Sequence, residues 1–128
     1  MTLLVDTQLV LWAVTEPERA PEAATALLAD PRTTTVFSVV SIWEIAIKAG
    51  LGRADFTADP GEVRSTLIAT GWDELPIFAP HAVAVAGLPA LHKDPFDRLL
   101  AAQALSEGLT LLTTDRRLAA YPGPIRLV

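Results

Sequence analysis

Two short apolar runs, each followed closely by an aspartate, constrain the fold of this chain more than any other feature of its sequence. Residues 2–5 (TLLV) precede Asp6, and residues 109–113 (LTLLT) come shortly before Asp115. Each run has the length and apolar character of a buried strand, and each adjoins a segment with apolar residues at helical spacing. Buried strands that alternate with helices indicate right-handed crossovers and a parallel sheet covered by helices on both faces.

The same alternation extends over the rest of the chain, where Pro and Gly separate the segments. Pro21 begins a helical segment rich in Ala and Leu, and β-branched residues dominate the strand that follows it. The predicted helices span residues 7–15, 21–30, 40–49, 60–70, 80–87, 94–107 and 115–120, and the predicted strands span 2–5, 33–39, 74–78, 109–113 and 125–128. The sequence therefore predicts an α/β fold, a three-layer α/β/α sandwich with a mainly parallel central sheet, in a single domain over residues 1–128.

Composition and charge exclude several classes of protein. Hydrophobic residues make up 51% of the 128, which excludes a disordered chain. A net charge of −5 argues against general electrostatic attraction to nucleic acid, so any such binding must be local. The absence of Cys excludes disulfides, thiolate zinc sites and thiol nucleophiles, and two His argue against a multi-histidine metal site.

The longest apolar stretches are interrupted by Glu44 or Pro89, well short of the roughly 20 residues that span a bilayer, so we expect a soluble, cytoplasmic protein.

Acidic residues occupy the positions where a parallel sheet binds its ligands, beyond the carboxyl ends of the strands. Asp6 and Asp115 follow two predicted strands, Asp97 lies in the first turn of the helix over 94–107, and Glu44 lies one turn into the helix over 40–49. Each also suits a structural role. Asp6 and Asp115 fit helix N-caps, and Asp94, followed by a proline at the first helical position, fits a third. Lys48, four residues after Glu44, fits a helical salt bridge, which explains that pair and leaves the other three acids unexplained.

Four converging carboxylates need a compensating charge. At about 5 Å and an effective dielectric near 20, each pair repels by ~3 kcal/mol. Raised pKa values or a cation would offset this cost. A hard divalent ion, Mg²⁺ or Mn²⁺, suits a site built from oxygen ligands and activates water for attack on a phosphodiester. Hydrolysis of a nucleic acid is the resulting hypothesis.

Four segments of the chain, in order and over nearly its whole length, resemble the PIN domains, and among them the VapC-type toxins of bacterial toxin–antitoxin pairs. These segments are LLVDT (3–7), SIWEIAIK (41–48), KDPFDRLLAAQA (93–104) and LLTTDRRL (111–118). The resemblance implies a Mg²⁺- or Mn²⁺-dependent endoribonuclease in which Asp6, Glu44, Asp97 and Asp115 are the catalytic, metal-binding acids. It implies Thr7 and Thr113 as supporting polar residues. It also implies an RNA substrate such as tRNA, a homodimer, and a separately encoded antitoxin that forms a larger complex with the toxin.

Within the quartet we expect Asp6 and Asp97 to be metal ligands, Asp115 to be a third or water-mediated ligand, and Glu44 to bind the ion or orient the attacking water. Basic residues close to these acids in the sequence are candidates for RNA contact, namely Arg98, Arg116 and Lys48. The remaining residues of interest are expected to be structural: His81 as a helix-start residue, His92 as a loop residue with no partner in the site, and Trp12, Trp43 and Trp72 as core or dimer contacts.

Other functions share parts of this pattern. A phosphate-accepting signalling domain needs an acceptor Asp after a middle strand, where residues 79–82 are APHA, and a Lys after a late strand, where none follows. An aspartyl phosphatase needs a second Asp two residues after Asp6, where Gln8 stands. Two alternatives stay open: a PIN-fold binding module with weak or no nuclease activity, which the intact quartet disfavours, and an RNA-processing PIN nuclease without an antitoxin, which only neighbouring genes distinguish.

Overall fold

Five parallel strands form one central sheet in the computed structural model, which describes residues 1–52 and 56–128. The strands are β1 (Thr2–Val5), β2 (Thr34–Ser38), β3 (Asp73–Leu75), β4 (Thr110–Thr113) and β5 (Ile125–Leu127). The helices are α1 (Thr7–Thr15), α2 (Glu22–Ala29), α3 (Val39–Gly50), α4 (Pro60–Ala69), α5 (Ala79–Ala84), α6 (Pro95–Glu107) and α7 (Arg116–Ala119), with 3₁₀ turns at Pro17–Arg19 and Val85–Gly87.

The strand order is β3-β2-β1-β4-β5, so β1 is the central strand. Leu4 of β1 pairs with Val36 of β2 on one side and with Leu111 of β4 on the other. The chain first builds the sheet outward through β2 and β3, then crosses back to place β4 and β5 on the other side. The switch of direction lies between β1 and β4, and at such a point a crevice opens beyond the carboxyl ends of the strands.

The two faces of the sheet bury different sets of side chains, because successive residues of a strand point to opposite faces. Leu3 and Val5 pack with apolar residues of α1, α2 and α4, whereas Leu4 packs with residues of α6 and α7. Leu3 and Leu4 are fully buried, and such a side chain contributes about 2 kcal/mol by leaving water. Helices thus cover both faces, and the predicted α/β/α sandwich is confirmed, with a sheet that is parallel throughout.

Three helices begin at the aspartates that the sequence indicated as caps. Asp6 Oδ1 accepts a hydrogen bond from the backbone N–H of Leu9 at 2.9 Å, and Asp115 Oδ1 accepts one from Arg117 at 2.8 Å. Asp94 accepts from two backbone N–H groups at the start of α6, and Gly108 ends that helix with a φ of 67° that other residues rarely adopt. The same aspartates that start these helices therefore lie at the carboxyl edge of the sheet.

Several element boundaries differ from the sequence-based ones for local reasons. The strand predicted over 74–78 is β3 and ends at Leu75, because Pro76 has no N–H to continue the ladder. The strand predicted over 33–39 ends at Ser38, whose Oγ accepts from Val40 N–H and caps α3. The helix predicted over 80–87 is divided into α5 and a 3₁₀ turn. Among the helices that the structure describes, none is long and apolar enough to cross a membrane.

Candidate functional site

A cleft of about 260 Å³ opens at the carboxyl edge of the sheet between β1 and β4, and we call it the acidic cleft. Its lining residues are Asp6, Thr7, Gln8, Leu11, Glu44, Lys48, Asp94, Asp97, Thr114 and Asp115. All four acids of the predicted quartet line this cleft, together with the cap residue Asp94. The structure thus brings together carboxylates that are up to 109 positions apart in the chain, Asp6 and Asp115 being the extremes.

Asp6 is buried at the end of β1 and held by two donors. Its Oδ1 accepts from Leu9 N–H, and its Oδ2 accepts from the hydroxyl of Thr113 at 2.5 Å. Thr113 Oγ1 in turn accepts the backbone N–H of Asp115 at 3.0 Å, so one hydroxyl links the ends of β1 and β4. Burial raises the pKa of Asp6 above its ordinary value, although the bonds from Thr113 and Leu9 act in the opposite direction. The supporting position predicted for Thr113 is therefore a direct contact.

Glu44 brings a second buried carboxylate into the cleft from α3, with 4% of its surface exposed. Its Oε2 accepts a hydrogen bond from Lys48 Nζ at 2.7 Å, which is the predicted helical salt bridge. Its Oε1 is buried and has no hydrogen-bond partner among residues 1–52 and 56–128. A buried carboxylate oxygen without a donor is costly, so this atom points to a missing positive partner.

Asp97 lies in the first turn of α6 with its side chain mostly buried. Burial, followed by the negative charges of Asp94 and Glu44, raises the pKa of Asp97 to about 7. At neutral pH this carboxyl group is therefore close to half protonated as long as no cation neutralises the cleft. A cation would restore its negative charge.

His92 joins the cluster from the loop before α6, which the sequence-based interpretation did not expect. Its Nε2 lies 2.9 Å from Asp115 Oδ2 and 3.1 Å from Asp97 Oδ2, and the residue is 8% exposed. It lies in a loop as expected, and it also pairs with two acids of the cleft, a pairing that was not evident from the sequence. One candidate ligand atom each from His92, Asp97 and Asp115 lies within 4.8 Å of the other two.

Asp115 has a different electrostatic balance from Asp97. Its partial burial acts to raise its pKa, but the bond from His92, the backbone N–H of Arg117 and nearby positive charge together lower it below its ordinary value. Asp115 is thus ionised at neutral pH, whereas burial raises the pKa of Asp97, 3.1 Å from the same imidazole nitrogen, to about 7.

The other predicted site residues are placed as follows. Thr7 lines the cleft and shares a 2.8 Å hydrogen bond with Ser41 Oγ, which fixes α1 against α3. Lys48 reaches the cleft through Glu44, and Arg116 is exposed at the start of α7 beside Asp115. Arg98 does not line the cleft.

The guanidinium of Arg98 is engaged within the protein. It donates to the carbonyl oxygens of Pro89 and Val85 and to the hydroxyl of Tyr121, at 2.9, 3.3 and 2.9 Å. These bonds fasten the loop before α6, and contact of Arg98 with RNA stays a prediction.

The three tryptophans divide into two groups. Trp12 and Trp72 are partly buried and pack against the core, as expected. Trp43 is 51% exposed and packs edge-on against Phe96, with ring centroids 4.9 Å apart. Trp43 belongs to an exposed apolar stripe at four-residue spacing, which continues with Ile47 on α3 and ends with Leu51 at the C-cap of that helix.

Comparison with known proteins gives a family and a fold. A family model described as "PIN domain" matches residues 3–124. No curated protein matches the chain. The VapBC2 complex of Rickettsia felis, bound to a promoter DNA fragment, includes a chain with 15% identity and a TM-score of 0.73 over 100% of this chain and 99% of that one. A chain of a toxin–antitoxin complex from Klebsiella pneumoniae has 21% identity and a TM-score of 0.64 over 97% of this chain and 95% of that one. A chain of VapBC-5 from Mycobacterium tuberculosis has 20% identity and a TM-score of 0.59 over 99% of this chain and 97% of that one. At these identities the structural likeness shows a shared fold.

Proposed function

This chain belongs to the PIN domain family, and from that membership we propose that it is a Mg²⁺- or Mn²⁺-dependent endoribonuclease that acts as the VapC-type toxin of a toxin–antitoxin pair. The family match and the likeness to VapBC complexes support a nuclease of the toxin–antitoxin type. The observation that carries the proposal is Glu44 Oε1, a buried carboxylate oxygen without a hydrogen-bond partner among the described residues, in a cleft that holds four further acids.

The donor set fits a hard divalent cation. The acids Asp6, Glu44, Asp97 and Asp115 offer only oxygen ligands, and the raised pKa values of Asp6 and Asp97 indicate an excess of negative potential that a cation would relieve. We propose these four as the residues that hold the ion. When bound, Mg²⁺ or Mn²⁺ supplies Lewis-acid activation of water and stabilises the charge that develops on a phosphodiester during hydrolysis.

The protein's own contribution is to hold these groups in place. Leu9 N–H and Thr113 fix Asp6, and the bond between Thr7 and Ser41 fixes the start of α1 beside it. Lys48 holds one oxygen of Glu44 and leaves the other free for the cation. Preorganised oxygen ligands of this kind lower the cost of assembling the site when the ion and the substrate arrive.

Local positive charge would attract the RNA backbone to a protein whose net charge is −5. Lys48 is partly exposed at the cleft and Arg116 is exposed beside Asp115, so both can reach a phosphate close to the acids. A structured RNA such as a tRNA is the proposed substrate, and the cytoplasm is the proposed location.

A protein partner completes the proposal. The likeness to VapBC and toxin–antitoxin complexes from R. felis, K. pneumoniae and M. tuberculosis supports a separately encoded antitoxin for this chain. A homodimer within that complex is part of the same proposal. The exposed apolar stripe of Trp43, Ile47 and Leu51 on α3 also favours contact with another protein.

The direct test is cleavage of structured RNA, including a tRNA pool, by the purified chain with Mg²⁺ or Mn²⁺. Asp97→Asn removes one proposed ligand, and Asp73→Asn, at an exposed position of β3, is the matched control. We expect cleavage by the wild type and Asp73→Asn, and its loss with a chelator or in Asp97→Asn. A folded protein that cleaves no RNA with either metal would contradict the nuclease and leave the binding module.

The role as a toxin needs a separate test, because an RNA-processing nuclease would give the same cleavage. We expect expression of the chain to arrest bacterial growth and coexpression of the neighbouring gene to relieve the arrest. Active nuclease without growth arrest would instead support the RNA-processing alternative.

A further inference from the structure

His92 is the one histidine of the described residues that contacts the acidic cleft, and its ring is held from both sides. Nε2 faces Asp115 Oδ2 at 2.9 Å and Asp97 Oδ2 at 3.1 Å. On the opposite side of the ring, Nδ1 lies 3.1 Å from the backbone nitrogen of Asp94, which donates its N–H to it.

This second bond determines where the ring proton lies. A backbone N–H is always a donor, so Nδ1 must be the acceptor and carry no proton. The neutral imidazole then has its one proton on Nε2, which is the nitrogen that faces the two carboxylates. A protonated Nε2 has no lone pair to offer a metal. His92 therefore acts as a donor toward the cleft, although its distance to Asp97 and Asp115 would suit a ligand.

The loop that carries His92 is fastened so that the ring keeps this orientation. The backbone N–H of His92 donates to the hydroxyl of Tyr121 at 2.9 Å, and the same hydroxyl accepts from Arg98 at 2.9 Å. Tyr121 is buried and belongs to the core beneath α6 and α7. The imidazole is thus supported by the core, and its direction does not depend on the carboxylates alone.

Both oxygens of Asp115 are fixed as a result. The backbone N–H of Arg117 holds Oδ1, and His92 Nε2–H holds Oδ2. Each carboxylate oxygen keeps a further lone pair for a cation or for a water bound to it. Without the imidazole proton, Asp97 Oδ2 and Asp115 Oδ2 would face each other across the cleft with nothing positive between them.

We propose that His92 is a positioning residue that donates a hydrogen bond from Nε2–H to Asp115, holds the Asp97 and Asp115 carboxylates in place for a divalent cation, and is not itself a ligand. This inference rests on the proposed function, because it gives His92 its role toward the ion that the four acids are proposed to hold. Groups that orient metal ligands in this way commonly affect the affinity of the ion as well as the activity.

A second buried histidine provides the matched control. His81 Nδ1 accepts the backbone N–H of Phe78 at 3.0 Å and lies 3.3 Å from Gln103 Nε2, and its Nε2 lies 2.6 Å from Glu107 Oε1. The ring is thus held between a backbone N–H and a carboxylate, as His92 is, but away from the cleft. A variant of His81 should therefore show what the loss of such a ring does to folding alone.

The experiment is titration of the purified chain with Mn²⁺ alone by calorimetry, with His92→Leu, His92→Gln and His81→Leu. His92→Leu removes the donor, whereas His92→Gln restores an N–H at about the position of Nε2. We expect His92→Leu to weaken Mn²⁺ binding by about 10- to 100-fold. We expect His92→Gln to bind close to the wild-type affinity, and His81→Leu to lose thermal stability without a change in Mn²⁺ affinity.

The ring ¹⁵N spectrum of the wild type is a second and independent readout, which applies even if His92→Leu does not fold. We expect the Nε2–H tautomer for His92 before and after addition of Mg²⁺, with the two histidines assigned from His81→Gln. Replacement of the Nε2 proton by Mg²⁺ would make His92 a ligand and overturn the inference.

The outcomes separate this inference from the proposed function. A wild-type protein that binds no Mn²⁺ contradicts the proposed metal site, and the inference falls with it. A wild-type protein that binds Mn²⁺ while folded His92→Leu binds equally well, or while His92→Gln binds as weakly as His92→Leu, overturns the inference alone.

Discussion

The acidic cleft and the junction between α5 and α6 each contain a buried imidazole whose Nδ1 accepts a backbone N–H and whose Nε2 faces a carboxylate, but the number of nearby acids differs. At the junction, His81 Nε2 meets one carboxylate, that of Glu107, which is 39% exposed and can reach water. In the cleft, His92 Nε2 meets Asp97 and Asp115, with further acids beside them. The imidazole of His81 thus joins α5 to α6, whereas the imidazole of His92 lies between the carboxylates of Asp97 and Asp115. The number of carboxylates around the ring, rather than the ring itself, distinguishes a structural site from a candidate binding site.

The two regions should consequently respond in opposite ways to the loss of a polar group. Removing a carboxylate from the cleft relieves repulsion in the metal-free protein, whereas removing a partner at the junction leaves a buried donor or acceptor unsatisfied. The predictions below test this contrast.

The largest expected effect is on RNA cleavage. Asp6→Asn should abolish cleavage in Mg²⁺ or Mn²⁺, because it removes a carboxylate from the proposed metal site while the amide can still accept the N–H of Leu9 and maintain the cap. Glu107→Gln, the matched change at the junction, should cleave at the wild-type rate. Cleavage time courses on the same RNA measure both. Full activity of Asp6→Asn would remove the distinction between the two regions.

The next effect is on folding in the presence of a chelator. At pH 8 Asp97 is largely ionised, although burial and the negative charges of Asp94 and Glu44 raise its pKa to about 7. Asp97→Asn removes this unfavourable charge and should raise the free energy of unfolding at pH 8 by about 2–4 kcal/mol. His81→Leu should lower it by about 1–3 kcal/mol through the loss of buried hydrogen bonds. Urea unfolding followed by circular dichroism measures both, and a decrease in both variants would show that repulsion does not dominate the cleft.

The fold and most of the cleft could be predicted from the sequence because their signals are local. Each acid of the quartet lies at the end of a strand or in the first two turns of a helix, where a few neighbouring residues identify the position. The alternation of apolar runs and helical segments predicted the layers in the same way. The strand order did not follow from these signals, because it depends on which strands pair across the sheet.

The contacts of His92 in the cleft and those of Arg98 within the protein did not follow from the sequence. Two partners of His92, Asp115 and Tyr121, lie 23 and 29 residues further along the chain, beyond the reach of a local pattern. Arg98 follows Asp97 directly, but consecutive residues of a helix point about 100° apart. Adjacency to Asp97 therefore does not bring Arg98 into the cleft, and its guanidinium bonds to Tyr121 and to two carbonyl groups instead.

The pH dependence of stability should distinguish the regions more finely. The folded pKa of Asp97, about 7, lies above its ordinary value of 3.8, so the folded protein binds more protons than the unfolded chain between these pH values. The free energy of unfolding of the metal-free protein should therefore rise as the pH falls from about 7 towards 4, and the raised pKa of Asp6 acts in the same direction. Asp115, with a lowered pKa, contributes stability that is lost only at more acidic pH, below its ordinary value.

Urea midpoints between pH 8 and pH 5 with a chelator check this dependence. The rise should be clearly smaller in Asp97→Asn and unchanged in Glu107→Gln. Mn²⁺ should stabilise the protein more at pH 8 than at pH 5, because protons compete with the ion for the carboxylates. An equal rise in the wild type and Asp97→Asn would assign the pH dependence to groups outside the cleft.

The smallest effect concerns Lys48, the cation that the cleft already contains. Lys48→Met leaves the buried carboxylate of Glu44 without its 2.7 Å partner, and because the ammonium is partly exposed we expect a loss of only about 1 kcal/mol in the metal-free protein. The variant also exposes Glu44 Oε2 to a cation, so Mn²⁺ should stabilise Lys48→Met more than it stabilises the wild type.

Arg64→Met, which breaks an ion pair with Glu74 away from the cleft, should show no such gain. Thermal shifts at matched Mn²⁺ concentrations compare the three proteins. Equal thermal shifts in the three proteins would mean that Lys48 and the ion do not compete for the carboxylate of Glu44. The ion pair between Glu44 and Lys48 would then be as unrelated to metal binding as the one between Arg64 and Glu74.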